Sequence, residues 1–97
     1  MNRTINRLLF FVTSLFLLSG SMVYSQQISG NIQDEDSKPI PGVTVVVDGT
    51  TIGTTSDFDG NFTIDASEGD NLIFSFIGFE TQSVPASGDF MTIIMNT

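Results

Sequence analysis

The stretch Val43-Thr44-Val45-Val46-Val47 decides the fold, because five consecutive β-branched residues favour a pleated strand over a helix. Alternation puts Val43, Val45 and Val47 on one face and leaves Val46 to be partly covered on the other, as expected of a strand with a neighbour on each side. Breakers bound it on both flanks. Pro39-Ile40-Pro41-Gly42 precedes it, and two prolines so close together exclude helix and central strand, leaving an extended crossing segment. Asp48-Gly49 follows, a hairpin-type dipeptide.

Working outward, the same two-residue period recurs with no helical period anywhere after residue 26. Upstream, Ile28, Gly30 and Ile32 share one parity while Ser29, Asn31 and Gln33 take the other. Residues 34–38 form a polar turn. Downstream, residues 50–56 suit a short threonine-rich edge strand interrupted by Gly53, and Asp57-Phe58-Asp59-Gly60 turns the chain again. Asn61-Phe62-Thr63-Ile64-Asp65 alternates cleanly. After the turn at residues 67–70, Leu72-Ile73-Phe74-Ser75-Phe76-Ile77 is apolar on both parities and is expected to be the most buried strand. Residues 79–84 and 90–95 supply two more strands on either side of a break at 85–89. Seven short strands at close spacing predict an all-β, two-layer antiparallel sandwich.

The start of the chain reads differently. Arg3 and Arg7 precede an uncharged run at residues 8–18, and small or neutral residues follow to Ser25, the order of a cleaved export signal. A membrane anchor would need about 20 apolar residues, more than this run provides. The expected division is therefore a signal peptide at 1–25 and one domain at 26–97, with no direct membrane insertion of the mature chain. The full chain contains no cysteine and no histidine, so neither a disulfide nor an imidazole ligand is available. Residues 26–97 carry one basic residue, Lys38, against eleven acidic ones, a net charge of −10. Nucleic acid is excluded as a partner by that charge and by the lack of any basic stripe.

Four ordered motifs carry a resemblance: Ile28-Ser29-Gly30-Asn31-Ile32-Gln33-Asp34, Pro39-Ile40-Pro41-Gly42-Val43-Thr44-Val45, the run GTTIGTTSDFDGNF at residues 49–62, and Phe74-Ser75-Phe76-Ile77-Gly78-Phe79. They resemble the carboxypeptidase-regulatory-like domain, in the form found at the N-terminus of SusC/RagA-type TonB-linked outer membrane transporters. The resemblance implies a transthyretin-like sandwich in the periplasm, ahead of a plug and barrel that would be its partners. A nutrient transporter needs many hundreds of further residues, so transport cannot be carried by the residues present. The expectation is a non-enzymatic accessory domain of such a transporter, with other cell-envelope proteins as further partners. The competing expectation is a stand-alone exported module that binds a protein or glycan.

Chemistry is sparse. Asp57, Asp59 and Asn61 place three oxygen donors within five residues, which a hard cation could use. The spacing does not match an EF-hand, and a tight hairpin with Gly60 at positive φ explains the same letters. The glycines at 49, 53, 60 and 78 are followed by no lysine and open no helix, so they do not form a phosphate loop. Serine and threonine have only Lys38 as a basic partner, which argues against nucleophilic catalysis. No cofactor is expected. Phe62, Phe74 and Phe76 lie at strand parity and are expected in the core, and Phe58 is expected to pack over its own hairpin.

Overall fold

A computed structural model describes residues 26–97, and the expected export signal at 1–25 lies outside the described residues. The described residues form β1 (Gln27–Gln33), β2 (Thr44–Val47), β3 (Gly53–Thr55), β4 (Asn61–Asp65), β5 (Asn71–Ser75), β6 (Gln82–Pro85) and β7 (Met91–Ile94), with no helix among them. One sheet has the order β4-β1-β7 and the other β3-β2-β5-β6. The strand expected at the centre, β2, indeed lies between β3 and β5, and β3 is an edge strand.

Alternation in sequence becomes burial in the structure. Ile28 and Ile32 of β1, Phe62 and Ile64 of β4, and Met91 and Ile93 of β7 face inward from the first sheet. Val45 and Val47 of β2 and Leu72 and Phe74 of β5 meet them from the second, with Val84 of β6 packed at the margin. The layers join most directly where Phe62 meets Phe74 edge to face, with ring centroids 5.5 Å apart. Each such side chain contributes about 1.5–3 kcal/mol on burial, which a fold without disulfides requires.

Two findings refine the strand reading. The pairing of β1 with β7 is parallel, Gly30 opposite Met91 through Gln33 opposite Ile94, whereas the other four pairings are antiparallel. Parallel neighbours need a long connection, and here the rest of the sandwich supplies it. Gly30, buried mid-strand, explains how β1 fits between two partners. A Cβ there would lie 2.5 Å from the Met91 carbonyl oxygen and 2.6 Å from the Phe62 ring, so the missing side chain makes room for both.

The crossing from the first sheet to the second is built as Pro39 and Pro41 predict. Pro39 bridges to Gln33, the Ile40 N–H donates to the Ile32 carbonyl at 3.0 Å, and Ile40 is buried. Ser56 closes this crossing and is the buried polar residue of the domain. Its Oγ donates to the Ile40 carbonyl at 2.7 Å and accepts the Val43 N–H at 2.9 Å. Two backbone groups that no strand partner reaches are thereby satisfied.

Candidate functional site

The pairings place the ends of β1, β3, β5 and β7 and the starts of β2, β4 and β6 at one end of the sandwich. That end carries the crossing segment, the 57–60 turn, the turn after β5, and the last residues of the chain. It holds every candidate residue of the sequence reading.

The 57–60 turn is held by its own aspartate. Asp57 Oδ1 accepts the Asp59 N–H at 3.0 Å and the Asn61 N–H at 2.9 Å, while the Gly60 N–H donates to the Asp57 carbonyl at 2.9 Å. Gly60 has φ +78° and presses against the end of β1, its carbonyl accepting the Ile32 N–H at 2.7 Å. A Cβ at that glycine would run into the Ile32 carbonyl oxygen, so both conformation and space require glycine. Asn31 on β1 reaches across with Nδ2, donating to the Asp59 carbonyl and to Asn61 Oδ1, each at 2.8 Å. Of the three candidate cation ligands, Asp57 and Asn61 thus have oxygens engaged in holding the turn. Among the described residues no three His, Cys, Asp or Glu side chains converge to hold a metal ion.

Phe58 at the tip of this turn is 91% exposed, which corrects the expectation that it packs over its hairpin. Asp57 and Gly60 complete the turn through backbone and carboxylate bonds, so the ring is not needed to close it. A second correction concerns β5. The strand ends at Ser75, Phe76 is 39% exposed and Ile77 is 95% exposed, so the second half of the apolar run lies at the surface and not in the core. The chain turns there, with the Phe79 N–H donating to the Phe76 carbonyl at 3.2 Å and Gly78 at φ +91°. Phe79 is drawn back to the edge of the core, its ring centroid 6.1 Å from that of Phe76. The final approach to β6 is irregular, and pairing begins only at Gln82 rather than at residue 79.

The turn after β5 borders an open groove of about 420 Å³ lined by Gly42, Thr44, Ser75, Phe76 and Ile77. Thr44 and Ser75 are register partners on the outer face of the second sheet, and Phe76 and Ile77 supply the apolar wall. Gly42 lies between the end of the crossing segment and this groove: its N–H donates to the Ser56 carbonyl at 3.0 Å, and a Cβ there would lie 3.4 Å from the Phe76 ring. The groove was not evident from the sequence, although Phe76-Ile77-Gly78 carried its signal: an apolar run that continues into a glycine turn must leave some of its side chains uncovered. Around this end stand Asp34, Glu35, Asp36, Asp57, Asp59 and Glu80, with Lys38 as the cation. The arrangement offers contact surface of mixed apolar and acidic character. No nucleophile with a base beside it is found among the described residues of this end.

Comparisons with known proteins agree with the fold and narrow it. The CarboxypepD_reg-like domain matches residues 28–94. The chain is 37% identical over 87 residues to the TonB-dependent receptor SusC of Bacteroides thetaiotaomicron, a match covering 90% of this chain and 9% of the relative. It is 39% identical over 87 residues to the TonB-dependent receptor P39 of Formosa agariphila, covering 87% of this chain and 8% of the relative. The chain therefore spans less than a tenth of the length of these relatives. Among solved structures, chains from two crystal structures of type II cohesin–X-dockerin complexes from Acetivibrio cellulolyticus superpose with TM-scores of 0.58 and 0.60, at 21% and 22% identity. Each match covers 72% of this chain and 56% of the other, and shows a shared fold. With the family match spanning every strand of the sandwich and receptors as its curated relatives, this chain belongs to the CarboxypepD_reg-like domain family, in the company of SusC-like TonB-dependent receptors.

Proposed function

We propose that residues 26–97 are a non-enzymatic periplasmic accessory domain of a SusC-like TonB-dependent outer membrane transporter, standing ahead of its plug and barrel. The observation that carries this reading is the identity of 37–39% to TonB-dependent receptors over nearly the whole chain, combined with coverage of less than a tenth of each receptor. A domain in that position contributes contact and orientation, while substrate passage belongs to the rest of the receptor. The absence of a buried charged or nucleophilic cluster among the described residues supports a binding role over a catalytic one. An expected export signal at residues 1–25 supports the compartment. No described helix is long and apolar enough to cross a membrane.

The test is to read the encoding nucleotide sequence past Thr97 in all frames. A plug-like region followed by many strands of about ten residues that alternate apolar and polar character is the expected result. A genuine stop followed by unrelated genes would withdraw the transporter assignment and favour a free-standing binding module.

A further inference from the structure

We propose that the end of the sandwich carrying Phe58, Phe76 and Ile77 is the docking face of this domain, and that its occupant is the receptor body to which the domain is joined. This rests on the accessory-domain reading above and adds which surface makes the contact. Three observations converge. Phe58 and Ile77 are 91% and 95% exposed at the tips of two tight turns, and neither side chain is needed to close its turn. An exposed apolar group of this kind, set beside an open groove, marks a contact surface.

The chain also leaves the domain at this same end. The Glu80 N–H donates to the Asn96 carbonyl at 2.8 Å, the Thr97 N–H donates to Glu35 Oε1 at 3.4 Å, and the Met95 N–H donates to the Gln33 carbonyl at 2.9 Å. In a receptor that carries the domain at its N-terminal side, the polypeptide that follows starts beside Phe79 and the acidic turn. This end of the sandwich, and not the opposite one, is therefore next to the continuing polypeptide of such a receptor. The third observation is charge. Asp57 and Asp59 flank Phe58 in sequence, Asp34, Glu35 and Asp36 lie with Phe79 and Thr97 at this end, and Glu80 is bonded to Asn96, so the complementary surface pairs apolar contact with Lys or Arg. Anionic lipid and a second copy of this acidic domain are disfavoured by the same charges.

The test joins the full chain ahead of the SusC receptor body of Bacteroides thetaiotaomicron in place of that receptor's own matching region. A photo-crosslinking phenylalanine analogue replaces, one at a time, Phe58 and Ile77 at the proposed face, and Ile52 and Phe90 away from it. All four positions are exposed, so folding is not at stake. Crosslinks to the receptor body are expected from positions 58 and 77 at several-fold higher yield than from 52 and 90, on peptides containing Lys or Arg. Equal or greater yield from 52 and 90 would overturn the docking face while leaving the accessory-domain reading intact. Crosslinks only between two copies of the domain, or none from any position in a receptor that assembles, would also overturn it.

Discussion

Phe74 and Ile77 stand three residues apart in one apolar run, yet Phe74 is fully buried and Ile77 is 95% exposed. The first lies on β5 between two neighbouring strands, with Phe62 of the opposite sheet against its ring. The second lies in a turn after the strand has ended, where no layer covers it. Equal hydrophobicity in sequence thus serves two ends of different kind. Burial of Phe74 stabilises the sandwich. Exposure of Ile77, like that of Phe58, is a cost in solubility that folding does not require, and the proposed docking face gives a reason for it.

The largest effect is expected on the buried side of this comparison. Phe74→Ala should lower stability by roughly 3–5 kcal/mol, since it removes the ring that joins the two sheets and leaves a cavity. A domain of this size has only about 4–11 kcal/mol in total, so urea denaturation should show a midpoint far below that of the parent chain. A loss under about 1 kcal/mol would mean that β5 is not at the centre of the core. Next comes Ser56→Ala, which leaves the Val43 N–H and the Ile40 carbonyl without their hydroxyl partner. About 1–3 kcal/mol is expected from that buried loss, read in the same denaturation experiment. An unchanged midpoint would show that the crossing segment finds other partners.

A smaller effect is expected at the acidic turn. Asp57→Asn keeps an oxygen at Oδ1 able to accept the Asp59 and Asn61 N–H groups, so the cost should stay below about 1 kcal/mol. Millimolar calcium should leave the melting temperature of the parent chain unchanged. If calcium raised it for the parent and not for Asp57→Asn, Asp57, Asp59 and Asn61 would be cation ligands after all.

The sequence was most informative where local pattern and tertiary environment agree. Val43-Thr44-Val45-Val46-Val47 and Asn61-Phe62-Thr63-Ile64-Asp65 read as strands with the correct inward faces, because alternation reports directly which side of a pleat is covered. It misled where composition outran the strand. Leu72-Ile73-Phe74-Ser75-Phe76-Ile77 is continuous in hydrophobicity, but the sheet ends at Ser75, and nothing in apolar content marks where a neighbouring strand stops. The parallel pairing of β1 and β7 was equally hidden, since strand direction depends on how distant segments meet. At the candidate site, the Asp57 turn was legible from its residue types, whereas the exposure of Phe58 was not. The role of Ser56 was also hidden, because its partners, Ile40 and Val43, become neighbours only when the chain crosses between sheets.

The most direct test is equilibrium unfolding of the double variant Phe58→Ser, Ile77→Ser. If the exposed apolar residues contribute nothing to the fold, its free energy of unfolding should lie within about 1 kcal/mol of the parent, as for two surface substitutions, with an unchanged dependence on denaturant. A loss of about 3 kcal/mol or more, comparable to that of Phe74→Ala, would show that these residues belong to the core and would contradict the division between a stabilising interior and an apolar face held open for contact.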